Sequence, residues 1–70
     1  MEMIPVESDS LRAIGYDPET EEMRITFNHG ATYRYLHVPS IRYEKLMAAP
    51  SRGRYFSHFI RPWYWGRRIG

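Results

Sequence analysis

Arginines interleaved with aromatic side chains are the residues of this sequence most suited to chemistry, and they concentrate near its C-terminal end. The segment comprises Arg54, Tyr55, Phe56, Arg61, Trp63, Tyr64, Trp65, Arg67 and Arg68. Guanidinium groups pair with phosphates through two hydrogen bonds, and exposed rings stack on nucleic-acid bases. The combination is typical of nucleic-acid binding.

Charge is distributed unevenly along the 70 residues. Residues 1–38 hold three arginines and seven acidic residues, whereas residues 39–70 hold seven basic residues and one acidic residue. The first part therefore carries a net charge of −4 and the second a net charge of +6. Arginine outnumbers lysine nine to one, which favours recognition of an anionic partner over a merely solvated surface.

Catalytic and metal-binding patterns are weak in comparison. Ser57 adjoins His58, but neighbouring helical residues point about 100° apart and no acid is placed to orient the histidine. His29, His37 and His58 lack the spacing of zinc ligands, and the chain has no cysteine. We therefore expect a protein that is not an enzyme, with no catalytic residues, metal or cofactor.

The length of the chain limits the number of domains, and its N-terminal sequence indicates the cellular compartment. Seventy residues supply one small domain, which we place at residues 10–70, after a flexible segment at residues 1–9. The first ten residues lack the features of a secretory signal, and no apolar run approaches the ~20 residues of a membrane span. We expect a cytoplasmic monomer with no membrane association.

Three segments have the composition and alternation of strands: "SLRAIGYD", "EMRITFN" and "ATYRYL". The first ends at a turn around Asp17 and Pro18. Two helices follow, with Ser40 and Ser51 as the expected N-caps and Pro62 as the end of the second. The predicted fold is α+β: a three-stranded antiparallel meander, two helices packed on one of its faces (β-β-β-α-α), and an aromatic, basic C-terminal tail.

The turn between the second and third predicted strands decides which way Tyr33 and Tyr35 point. A two-residue loop would place them on the polar face with Arg24, but a three-residue loop, Asn28–Gly30, would place them in the core. Glycine at the third loop position favours the longer loop, because that position takes a left-handed conformation. Arg34 then lies opposite Arg24 on the uncovered face of the sheet.

Several motifs, in order, resemble the KTSC domain family over about residues 6–69. They are "AIGYDPET", the "F..G..YRY" pattern, "VPS", "SRGRYFSHFIR" and the closing "RRI". The family comprises short bacterial proteins and C-terminal domains of some lysyl-tRNA synthetases, and the fusion implies RNA as a ligand. Ser57 departs from the family, which often has asparagine at that position.

We therefore predict a small RNA-binding domain, with tRNA as one candidate ligand, that uses a basic helix and tail. Its electrostatic face would consist of Arg54, His58, Arg61, Arg67 and Arg68, with Arg24 and Arg34 as a secondary patch. The alternative is a protein-interaction module whose aromatic tail docks on a partner. The sequence leaves open whether Trp63 and Trp65 cover the core, or stay in solvent while Tyr64 turns inward.

Overall fold

The computed structural model describes residues 1–70 as an α+β fold with five antiparallel strands in one sheet, in the order β1-β2-β3-β4-β5. The elements are β1 (Met3–Pro5), β2 (Leu11–Asp17), β3 (Glu22–Phe27), β4 (Thr32–Tyr35), α1 (Ser40–Ala48), α2 (Arg52–Tyr55) and β5 (Gly66–Arg68). A π-helical turn, Phe56–Ile60, continues α2. The predicted three-stranded meander is thus β2–β4, and the prediction of only three strands is wrong.

The two additional strands lie at the edges of the sheet. β1 pairs with β2, with Met3 opposite Gly15, so residues 3–5 of the segment expected to be flexible are part of the sheet. β5 returns after the helices and pairs with β4, with Gly66 opposite Tyr35. A Cβ atom at Gly66 would overlap the Tyr35 ring, so glycine is what allows β5 to approach this closely.

The turn between β3 and β4 has the predicted three-residue form. Gly30 has φ +104°, the Gly30 N–H donates to the Phe27 carbonyl at 2.9 Å, and the Phe27 N–H donates to the Ala31 carbonyl at 2.9 Å. In the resulting register Ile25 lies opposite Tyr33 and Met23 opposite Tyr35. The prediction that both tyrosines lie on the helix-covered face is confirmed.

The core lies between this face of the sheet and the helices. Its buried residues are Leu11, Ile14, Met23, Ile25, Tyr35, Val38, Leu46, Phe56 and Ile60. Ser51 caps α2, since its side chain accepts a hydrogen bond from the Arg54 N–H, as predicted. Ser40 is instead the first residue of α1, after an N-cap at Pro39 that makes no side-chain bond. Neither helix has the length and apolar content needed to traverse a bilayer.

Tyr16 ties the sheet to the segment that precedes α1. Its hydroxyl donates to the Val38 carbonyl at 2.6 Å, and its ring stacks on that of Tyr43 with centroids 4.7 Å apart. Burial raises the pKa of Tyr16, and the nearby carboxylates of Glu21, Asp17 and Glu44 raise it further. The hydroxyl therefore stays protonated near neutral pH and keeps its role as a donor.

Substituting Gly66→Ala should destabilise the protein by about 1–3 kcal/mol, because the new methyl group must displace the buried Tyr35 ring or the β5 backbone. Gly70→Ala is the matched control, since a Cβ atom there would meet Thr32 Cβ at 3.5 Å, an ordinary contact. Chemical denaturation measures both changes. Equal midpoints for the two variants would contradict the steric role of Gly66.

Tyr16→Phe should lower the free energy of unfolding by about 0.5–1.5 kcal/mol, because it leaves the Val38 carbonyl without its donor. Tyr35→Phe should change it by less than about 0.5 kcal/mol, because no group of the chain bonds the Tyr35 hydroxyl although the ring is buried. Urea denaturation of the two variants side by side tests the contrast. A larger loss for Tyr35→Phe would show that its hydroxyl has a structural partner.

Candidate nucleic-acid interface

Three arginines lie side by side across three neighbouring strands on the face of the sheet opposite the helices. Arg24 in β3 is directly opposite Arg34 in β4, and Arg34 is directly opposite Arg67 in β5. Directly paired residues share a face and are about 5 Å apart at their Cα atoms. We call these three residues the arginine row. The predicted pairing of Arg24 with Arg34 is confirmed, and Arg67 joins it rather than the helical surface.

Only one member of the row has an acidic partner. The Arg24 Nε atom lies 2.6 Å from Glu22 Oε2, which is the one ion pair of residues 1–70. Arg34 Nε is enclosed and has no hydrogen-bond partner, and Arg67 is exposed. Like charges that face each other in a sheet repel, and Glu22 compensates only one of the three, so the row concentrates positive charge.

The surroundings of the arginine row differ on its two sides. Thr26 and Thr32 form a directly opposed pair beside it, with their hydroxyl oxygens 2.9 Å apart. Next to Arg24, on β2, the Met1 and Met3 side chains pack over Gly15. The methionines therefore cover the β2 part of this face, and no helix covers the part that carries the row.

The π-helical turn after α2 separates Arg61 from Arg54 and His58, which the sequence predicted on one electrostatic face. The Arg61 N–H donates to the Phe56 carbonyl at 2.9 Å, a span of five residues. Arg54 and His58 line a shallow groove of about 520 Å³ with Tyr55 and Phe59. Arg61 instead lines a second cavity, so the helical part of the predicted electrostatic face is divided.

Arg61 and Arg68 both lie near the tyrosines of β4. Arg61 is at the edge of a cavity of about 510 Å³ that Tyr33 and Tyr35 also line, together with Ser57. Arg68 is directly opposite Tyr33, and its Nε atom donates to the Gly70 carbonyl at 3.1 Å.

The predicted helix-and-tail face is thus divided: Arg54 and His58 lie at the groove, Arg61 at the cavity, and Arg68 on the helix-facing side of β5. Arg67 lies instead with the predicted secondary patch, Arg24 and Arg34.

The two tryptophans of the tail lie in solvent. Trp63 is 74% exposed and Trp65 is 84% exposed, whereas Tyr64 between them packs against the core. The Trp63 indole N–H donates to the His58 carbonyl at 3.3 Å, which positions its ring at the end of the helix. Of the two alternatives that the sequence left open, the structure shows the one with Tyr64 inward.

Two side chains near these sites were not singled out from the sequence. Arg42 donates to the Tyr55 hydroxyl at 3.2 Å and lies over the Phe59 ring at 5.6 Å, a cation–π contact. The bonds to Tyr55 and Tyr64 raise the pKa of Arg42. Phe59 is 45% exposed because the wider π-helical turn shifts it outward.

Comparison with known proteins places these features in a family. The model of the KTSC domain matches residues 7–64. An uncharacterised protein of Stutzerimonas stutzeri is 40% identical over 62 residues, which cover 89% of this chain and 87% of that protein. A lysine–tRNA ligase of Nostoc is 36% identical over 59 residues, which cover 84% of this chain but only 10% of the ligase.

A solved structure gives the same result for the fold. The crystal structure of a KTSC domain protein from Yersinia pestis superposes with a TM-score of 0.92 at 38% identity, and covers 99% of this chain and 97% of that one. The sheet, the helices and the sequence motifs agree with a single assignment: the chain belongs to the KTSC domain family.

Proposed function

We propose that this protein binds RNA through the exposed tryptophans of its tail and the arginine row, without catalysing a reaction. Arg54 and Arg68 contribute positive charge at the margins of this surface, and His58 contributes a polar side chain there. In this proposal the protein acts as a cytoplasmic monomer. Its affinity comes from phosphate neutralisation and base stacking.

The exposure of Trp63 and Trp65 is the observation that carries the proposal. A 70-residue domain has few large apolar groups with which to stabilise its core. Leaving two indole rings 74% and 84% exposed forgoes that stabilisation, and other aromatic residues fill the core instead. Proteins that bind single-stranded nucleic acids use exposed rings next to arginines, on which the bases stack.

The tail and the arginine row are joined by the chain itself. Trp65 is followed by Gly66, the first residue of β5, and Arg67 of the same strand completes the row. Trp65 is two residues from Arg67, so a bound strand that stacks on its ring is about 7 Å of extended chain from the row. Its phosphates would relieve the repulsion between Arg34 and Arg67, which lack acidic partners.

The relatives favour tRNA as the RNA. Matching segments form about a tenth of lysine–tRNA ligases from Nostoc sp., Nostoc punctiforme and Trichormus variabilis. A domain carried by an enzyme that acts on tRNA is held close to tRNA. This support is by association, whereas the tryptophans and arginines supply the physical argument.

Alanine substitution of Trp63 and Trp65 should weaken RNA binding by roughly 5- to 150-fold for each ring that stacks on a base. Arg67→Gln should weaken RNA binding and reduce its dependence on salt concentration, because one phosphate contact is lost.

Fluorescence anisotropy measures the affinity of the tryptophan and Arg67 variants for labelled single-stranded RNA and labelled tRNA. Titrations at about 50 mM and about 200 mM salt give the salt dependence.

Two substitutions on α1 serve as matched controls. Lys45→Gln removes an exposed charge, and Ile41→Ala truncates an apolar side chain that is 51% exposed. Neither should alter affinity. Absence of binding at low salt would reject the proposal, as would equal affinity of the tryptophan variants and the wild type. Capture of a protein partner that withstands nuclease and high salt, with no RNA binding, would favour the protein-interaction module instead.

A further inference from the structure

The cavity beside β4 is a second site that the proposed surface does not use. It has a volume of about 510 Å³, within the range of about 300–1,000 Å³ typical of small-molecule sites. The β3–β4 turn and the helix-facing side of β4 form one wall, and the π-helical turn forms the other. We call it the tyrosine cavity, after Tyr33 and Tyr35, which line it.

Interlocked aromatic rings form the apolar part of the tyrosine cavity. Phe27 meets Tyr33 edge to face at 5.7 Å and Phe56 at 5.6 Å, and Tyr35 meets Phe56 at 5.4 Å. Phe56 and Tyr35 are buried and fix this wall to the core. A ligand therefore reaches the half-buried rings of Phe27 and Tyr33 and the ring of His29, which stacks on Phe27 at 5.4 Å. A preformed aromatic wall favours a planar aromatic ligand, because such rings stack without further ordering of the protein.

One end of the tyrosine cavity presents donors that the protein does not use. Arg61 makes no ion pair, and no hydrogen bond within the chain engages its guanidinium or the hydroxyls of Tyr35 and Ser57. Burial raises the pKa of Tyr35, although Arg61 acts in the opposite direction. The Tyr35 hydroxyl is therefore protonated near neutral pH, and this end of the cavity suits an anion such as phosphate.

The end of the cavity at the β3–β4 turn presents acceptors. Asp9 has no basic partner. The Asn28 side-chain nitrogen donates to the Ser8 carbonyl at 2.9 Å, so its amide oxygen remains free to accept. Asn28 and Tyr35 lie at opposite ends of the β3–β4 hairpin. The aromatic wall thus lies between an acceptor end and a cationic end.

We propose that the tyrosine cavity binds one nucleoside monophosphate unit. The base packs on the aromatic wall, its amino group or the ribose hydroxyls donate to Asp9 and Asn28, and the phosphate binds Arg61. The unit is either a free nucleotide or the phosphorylated end of an RNA strand. In the second case the inference rests on the proposed function, and it adds an end-binding site to the tail and the arginine row.

Titration of the isotopically labelled protein with AMP, GMP, CMP and UMP, followed by NMR, tests the inference. At least one mononucleotide should shift the amides of Phe27, Tyr33 and Arg61 in the millimolar range or below. The nucleoside alone and inorganic phosphate alone should each bind more weakly. Arg61→Gln should weaken mononucleotide binding by about tenfold or more, and Lys45→Gln, an equal loss of charge on α1, should leave it unchanged.

Several results would overturn the inference: no binding by any of the four mononucleotides, shifts confined to other surfaces, or equal weakening by Arg61→Gln and Lys45→Gln. Competition then identifies the source. If an RNA with a 5′-phosphate displaces the mononucleotide and the same RNA with a 5′-hydroxyl does not, the site binds strand ends. If neither RNA displaces it, the site binds free nucleotides. If no mononucleotide binds but RNA still binds, the tyrosine cavity is rejected as a site and the proposed function stands. The two outcomes are distinguishable because RNA binding at the tail and the arginine row is measured by separate shifts.

Discussion

The turn Asn28–Gly30 sets the constraint on which the rest of the structure depends. Because side chains alternate along a strand, a register shift of one residue between β3 and β4 would exchange the two faces of β4. Gly30, at φ +104°, accommodates the left-handed position that a three-residue turn requires. This single backbone conformation sends Tyr33 and Tyr35 toward the helices and leaves Arg34 on the opposite face.

Both candidate sites depend on the register that this turn sets between β3 and β4. On the covered face, Tyr35 meets Phe56, Tyr33 meets Phe27, and a cavity remains between the hairpin and the helical segment. On the other face, Arg34 lies between Arg24 and Arg67. The row is complete only because Gly66 lets β5 pair with β4 over the Tyr35 ring. One hairpin register therefore supports an aromatic cavity on one side of the sheet and a row of positive charge on the other.

The parts of the fold that the sequence predicted are those with strong local signals. β2, β3 and β4 have alternating patterns, and the turn has glycine where the three-residue form needs it. β1 has three residues and contains Pro5, and β5 consists of a glycine and two arginines, so neither has the composition of a strand. Their pairing is a tertiary effect. The same holds for the π-helical turn, which moves Phe59 outward and places Arg61 at the cavity.

An NMR titration of the labelled protein with tRNA and with single-stranded RNA tests the central claim most directly. The account predicts shifts at the indole N–H groups of Trp63 and Trp65 and at the amides of Arg34 and Arg67, and these shifts should diminish as the salt concentration rises. Unchanged spectra at low salt, or shifts confined to α1, would contradict it.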